Sequence, residues 1–274
     1  MKCLIGETTV HYVVIGSGQP VLMLHGFSLD HRVMTGCLEP VFVQRSENWK
    51  RIYVDFPGMG KSVGTNHIHS SDDMLDVMLE FIDQVIGDTP FLIAGLSYGG
   101  YIARGIIAKR SEQVIGVAFI SPMIIPDSHK RTLPDHHVIY RDENFLTQLS
   151  EAEREIFCTY AVVQDRENWQ RFQTEILDGS TLAIPSFLEK IRKQYAFSDD
   201  VDVLITAFSK PSLFLMGRQD GMTGFQDAWH VFQRFTRATF AVLDRAGHNL
   251  QLEQPRLFQE MVDEWLDRTV ESQS

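Results

Sequence analysis

The chain has 274 residues, 44% hydrophobic and 22% charged, the profile of a globular protein with a sizeable core. Its 25 Lys and Arg against 36 Asp and Glu leave a formal net charge of -11, which argues against nucleic acid or an anionic membrane as the main partner. Three scattered cysteines, Cys3, Cys37 and Cys158, form no C-x-x-C pair and indicate neither a zinc site nor a disulfide framework. The N-terminus lacks an apolar core of signal-peptide length and no run approaches the ~20 residues of a membrane span, so the expected location is cytoplasmic.

In chain order, residues 10–15 alternate loosely and end at the turn Gly16-Ser17-Gly18. Short apolar runs follow at 21–24, 51–55, 91–94 and 115–120, as expected of strands covered on both faces. Between them, Ser70-Ser71-Asp72-Asp73 has the form of a capping box. Met74, Met78, Phe81, Ile82 and Val85 then fall at helical spacing, and Gly87 can stop the helix. Strands alternating with such helices imply parallel pairing through right-handed crossovers. Residues 122–209 are charged and mostly helical in pattern, most clearly at 144–163 and 185–197, with no convincing strand. They read as a helical insertion over one end of a core formed by 1–121 and 210–274. Strand patterns return at 212–216 and 239–243, with a helix at 225–235 between them. Leu257, Phe258, Met261, Val262, Trp265 and Leu266 form the apolar face of a last helix opening near Pro255.

The chemistry concentrates at strand ends. Gly95-Leu96-Ser97-Tyr98-Gly99 joins the 91–94 strand to a helix-compatible segment. Flanking glycines allow a turn tight enough to strain the serine backbone and expose its hydroxyl above a helix N-terminus. A serine hydroxyl needs a base, and the base an orienting carboxylate. Asp220 lies just past the 212–216 strand, where ligands gather in an open parallel sheet. His248 follows the 239–243 strand, beside Gly247. A tetrahedral intermediate also needs two donors for its oxyanion. The backbone N–H groups of Tyr98 and of Phe27, in His25-Gly26-Phe27 after the 21–24 strand, are the candidates. His25 is expected at the substrate pocket in a loop-holding role rather than as the base. Met123 and Met222, with Phe27 and Tyr98, are expected to line an apolar acyl pocket. In the stretch 55–62, Gly58-Met59-Gly60-Lys61-Ser62 fails the full phosphate-loop spacing, because Asp55 stands where the first glycine would be. It reads instead as a turn shaping the pocket rim.

Together, His25-Gly26-Phe27, the 55–62 stretch, Gly95-Leu96-Ser97-Tyr98-Gly99-Gly100, Gly217-Arg218-Gln219-Asp220 and Gly247-His248 resemble the motifs of the α/β-hydrolase superfamily. The resemblance implies an α/β-hydrolase fold: a mostly parallel eight-stranded sheet flanked by helices, with a helical cap inserted after the sixth strand. Carried over by position, it implies Ser97 as nucleophile, His248 as base and Asp220 as orienting acid. Related dehalogenases and epoxide hydrolases use an aspartate nucleophile, so Ser97 argues against both activities. Some relatives place the acid after the sixth strand. Here Ser121-Pro122-Met123 stands there and no acid occurs before Asp127, which favours Asp220. The implied activity is hydrolysis of a small ester, thioester or related acyl compound through an acyl-enzyme, with no cofactor and no metal. The same triad serves cofactor-free C–C hydrolases, lyases and perhydrolases, in which Arg131, Arg141, Arg154 or Lys190 would bind a substrate carboxylate. A non-catalytic small-molecule receptor is a third reading. The expected partner is a small molecule with an apolar acyl part, and a homodimer is compatible with the sequence.

Overall fold

The apolar runs become central strands because both faces of the sheet are covered. In a computed structural model, which describes residues 1–205 and 207–273, ten strands form. They are β1 (Lys2–Ile5), β2 (Thr8–Ile15), β3 (Gln19–Leu24), β4 (Trp49–Val54), β5 (Phe91–Leu96), β6 (Val114–Ile120), β7 (Tyr140–Arg141), β8 (Val163–Gln164), β9 (Ser212–Gly217) and β10 (Ala238–Leu243). Eight of them make one sheet in the order β1-β2-β4-β3-β5-β6-β9-β10. The β1/β2 and β2/β4 pairs are antiparallel and the rest are parallel.

Alternate residues of the central strands feed two cores. Leu22 and Leu24 face one, with α2 (Ser71–Val85), α3 (Tyr98–Arg110) and, beyond the middle of the chain, residues of Gln226–Phe232. Val21 and Met23 face the other, with α1 (Arg32–Phe42) and the terminal helix Pro255–Glu271. Helix α2 starts where expected: Ser70 Oγ accepts from the Asp73 amide and the Asp73 carboxylate from the Ser70 amide. It ends at Gly87, whose φ of +68° suits a residue without Cβ. Its buried Met74, Met78, Phe81 and Ile82 each contribute about 1.5–3 kcal/mol of burial.

Between β6 and β9 lie short helices: α4 (Glu143–Leu146), α5 (Glu151–Tyr160), α6 (Arg166–Phe172), α7 (Asp178–Ser180), α8 (Pro185–Arg192) and α9 (Val201–Leu204). The last three helices are α10 (Gln226–Phe232), α11 (Leu250–Glu253) and α12 (Pro255–Glu271). Among the described residues, the segment between β6 and β9 has no core of its own. Phe187, Leu188 and Ile191 join the first core, whereas Phe157, Trp169 and Phe172 join the second. Two expectations need correcting. The 144–163 stretch is not one helix, because Ser150 caps a new helix with Glu153 in a capping box, and the chain leaves it at Ala161. The segment also holds strands where none was expected, since the β-branched Val163 starts β8, which pairs with β7 in parallel. Strand β1 was not expected; its alternation of exposed Lys2 and Leu4 with buried Cys3 and Ile5 is that of an edge strand. All three cysteines are free. Among the described residues no helix is long and apolar enough to cross a membrane.

Candidate active site

Ser97 stands between β5 and α3 with φ 52° and ψ -111°, a conformation few side-chain-bearing residues adopt. The flanking glycines are required by contact. A Cβ on Gly95 would lie 2.6 Å from the Gly99 carbonyl oxygen, and one on Gly99 would lie 2.1 Å from that of Leu24. The turn is anchored by the Ser97 amide on the Ile120 carbonyl and by the Met123 amide on the Ser97 carbonyl, at 3.0 and 2.9 Å. Among the described residues the Ser97 hydroxyl has no hydrogen-bond partner.

Asp220 follows β9 and is wholly buried. Its Oδ1 accepts from the amides of Met222 and Thr223 at 2.8 and 2.9 Å. Its Oδ2 accepts from the Thr223 hydroxyl at 2.7 Å and from His248 Nδ1 at 3.0 Å. Burial pushes this carboxyl up, but the His248 charge and hydrogen bond, with the Thr223 amide and hydroxyl, outweigh it and hold it below the usual carboxylate range. An ionised Asp220 requires the proton on Nδ1, which leaves Nε2 of a neutral His248 as an acceptor. The loops bearing the two residues are tied by the Arg218 amide on the Leu243 carbonyl and the Gln219 amide on that of Ala246, both at 2.9 Å. Thr223 was not anticipated. Its only signal is a hydroxyl three residues beyond the acid, and its buried hydroxyl also lies 3.3 Å from the Ser121 carbonyl and from His248 Nδ1.

Ser97 and His248 both line a cavity of about 800 Å³. Gly26, Phe27, Met123 and Met222 line it too, as do Ile156, Tyr160, Phe172 and Tyr195 from the segment between β6 and β9. The loop after β3 lies against the serine: a Cβ on Gly26 would be 3.5 Å from that of Ser97. Among the described residues the amides of Phe27 and Tyr98 donate to no protein acceptor. Two arginines also reach the cavity. Arg131 gives its Nε and both terminal nitrogens to the carbonyls of Ile125, Met222 and Pro126 at 2.7–2.9 Å. The Arg192 guanidinium lies 5.2 Å from the centre of the Phe27 ring. Neither makes an ion pair among the described residues.

Other expected site residues lie elsewhere. His25 does not border the cavity. It is fully buried, its Nδ1 pairs with the Gly26 carbonyl at 2.6 Å, and its Nε2 accepts from the Phe56 amide at 3.0 Å. Burial lowers its pKa, although Asp55 and the Gly26 carbonyl favour the charged form. The Tyr98 ring lies beneath the lining, stacked on Tyr195 at 5.2 Å with its hydroxyl 2.9 Å from Ser71 Oγ. Arg141 pairs with Glu143, Lys190 bonds to the Thr65 carbonyl and Arg154 is exposed, and none of the three lines the cavity.

The 55–62 turn does not form the rim either, because it is wound around the Asp55 carboxylate. Asp55 Oδ1 accepts from the His31 amide and Nδ1, both at 2.8 Å. Its Oδ2 accepts from His11 Nδ1 at 2.8 Å and the Lys61 amide at 3.0 Å. The ligand atoms of His11, His31 and Asp55 lie within 4.8 Å of one another, close enough for a metal. Four hydrogen bonds already occupy that carboxylate, so the residues fit a structural knot better than an ion site.

A family model described as alpha/beta hydrolase family matches residues 21–260. The chain belongs to the alpha/beta hydrolase family. It is accordingly an enzyme, a hydrolase. A pimeloyl-[acyl-carrier protein] methyl ester esterase of Legionella pneumophila is 22% identical over 259 residues, 94% of this chain and 99% of that protein. A 2-hydroxy-6-oxo-6-(2'-aminophenyl)hexa-2,4-dienoic acid hydrolase of Metapseudomonas resinovorans is 20% identical over 96% of this chain and 89% of its own. Among solved structures, an alpha/beta superfamily hydrolase from Oenococcus oeni superposes with a TM-score of 0.89 at 28% identity, covering 98% of this chain and 99% of that one.

Proposed function

We propose that this hydrolase cleaves a small ester, thioester or related acyl compound through an acyl-enzyme on Ser97. The observation that carries the reading is one cavity lined by a strained serine and by an imidazole whose Nδ1 is bonded to a buried carboxylate, with Gly26 of the loop before Phe27 packed against the serine. His248 Nε2 takes the Ser97 proton as Oγ attacks the substrate carbonyl. The Phe27 and Tyr98 amides receive the oxyanion. His248 then protonates the leaving group, and water activated by the same nitrogen releases the acid. Residues 122–209 act as a cap, their side chains selecting what reaches the serine.

Arg131 and Arg192 favour a second reading, C–C bond hydrolysis of a substrate bearing a carboxylate, because both reach the cavity and neither makes an ion pair among the described residues, although Asp127 and Asp220 act on Arg131 at longer range. A panel of p-nitrophenyl esters of graded chain length, run beside a ring-fission dienoate, tests both readings. The first expects turnover of the esters that Ser97→Ala abolishes. Turnover of the dienoate alone transfers the assignment to the second, and turnover of neither by pure protein overturns both.

A further inference from the structure

A buried carboxylate that the proposed chemistry does not use lies directly behind the His248 loop. Glu253 ends α11, is 6% exposed and makes no ion pair among the described residues. Its Oε2 accepts from the Gly247 amide at 2.6 Å. Its Oε1 accepts from the Val162 amide at 2.7 Å and the Val163 amide at 3.4 Å. Gly247 immediately precedes His248. Val162 lies two residues beyond Tyr160, which walls the cavity, and leads into β8. The two segments also touch, since a Cβ on Gly247 would stand 3.0 Å from Val162 Cγ1.

Burial of this kind is costly for a charge with no cation beside it. Desolvation pushes the Glu253 carboxyl up to about 7, against the pull of its three amides. What a carboxylate provides, and no neutral side chain of its length does, is a pair of acceptor oxygens pointing two ways. Here one oxygen serves the loop carrying the imidazole and the other serves the adjoining 162–163 segment.

We infer that Glu253 is a positioning residue for the hydrolysis proposed above: it clamps the His248 loop to the 162–163 segment that follows the cavity-lining Tyr160, so that the imidazole and that segment keep one relative placement. The inference rests on His248 being the base.

Glu253→Gln tests it. Glutamine keeps the length and volume but offers one acceptor oxygen and one NH2 donor. Whichever segment the oxygen serves, the NH2 confronts the amide of the other, and that arm opens. The expected result is a fall of about 10- to 100-fold in kcat for a short p-nitrophenyl ester and in the rate of fluorophosphonate labelling of Ser97. KM stays within about twofold, because loss of placement acts on the chemical step and not on ground-state binding. Folded Glu253→Gln protein with wild-type kcat and labelling rate overturns the inference, as does a loss confined to KM. Wild type and Ser97→Ala are labelled in parallel. If wild type fails to label, the Ser97 assignment falls and takes the inference with it. If wild type labels and Glu253→Gln labels equally fast, only the inference falls. Should the variant not fold, hydrogen exchange on the wild type decides: the Gly247 and Val162 amides should show protection within about threefold of each other, and a gap of about a hundredfold overturns the clamp.

Discussion

Two buried aspartates of this protein accept hydrogen bonds from histidine Nδ1 atoms at nearly the same distance, yet they sit in different surroundings. Asp55 holds His11 and His31 at 2.8 Å, and Asp220 holds His248 at 3.0 Å. Asp55 saturates both oxygens to fasten β2, the start of α1 and the 55–62 turn, and none of these residues borders the cavity. Asp220 fastens its own loop through the Met222 and Thr223 amides and leaves one imidazole at a cavity that also holds Ser97. An Asp–His pair is therefore not by itself a sign of catalysis. What separates the two is that the His248 ring borders the cavity that Ser97 also lines, whereas His11 and His31 do not.

The largest contrast is expected in turnover. Ser97→Ala or His248→Ala should lower kcat by about 10⁴- to 10⁶-fold with the folded state retained, as for residues that act as one unit. Asp220→Asn should cost about 10³- to 10⁴-fold, because the amide no longer fixes the imidazole tautomer. Asp55→Asn should do the reverse. It loses about 2–4 kcal/mol of stability by disrupting a buried network, read as a lower urea midpoint, while kcat of the folded enzyme stays within about threefold. An inactive but fully stable Asp55→Asn protein would erase the distinction.

Acid should affect the two aspartates alike and Glu253 in the opposite direction. Asp55 and Asp220 are held below the ordinary carboxylate range: burial raises each, and hydrogen bonds and nearby imidazoles more than offset it. Their contribution is present above the unfolded value of 3.8 and is lost as pH falls through the lower folded values. Glu253 binds its proton more tightly folded than unfolded, so stability should decline as pH rises from 4.5 to about 7. Urea midpoints across that range, compared with those of Glu253→Gln, check the sign; an unchanged slope in the variant would remove Glu253 from the effect. A smaller effect is expected at the cavity mouth. Arg192→Gln should raise KM for a carboxylate-bearing substrate by about fivefold to tenfold relative to a neutral one, the loss of one partly solvated charge contact. Equal KM changes for both substrates would place Arg192 outside recognition.

The central strands and α2 were legible because burial on both sheet faces writes continuous apolar runs, and a capping box writes a helix start. The Ser97 turn was legible because contact at Gly95 and Gly99 excludes side chains there. Asp220 and His248 showed as polar residues just past strand ends. What did not show was where side chains point after the chain turns. His25 and Tyr98 neighbour the site in sequence but face inward, into hydrogen bonds with the Phe56 amide and Ser71. Glu253 reaches Val162 across 91 positions, and no local pattern encodes such a pairing. The helices between β6 and β9 are short and share their apolar residues with two cores, so their periodicity runs on through breaks that only tertiary contacts impose.

The most direct test of the central claim is the mass of the intact protein after exposure to a fluorophosphonate, with the adduct mapped by peptide sequencing. An activated serine predicts one adduct on Ser97 in wild type, none in Ser97→Ala, and strongly slowed formation in His248→Ala and Asp220→Asn. An adduct that forms equally fast in Ser97→Ala, or at wild-type rate without His248, would contradict the account.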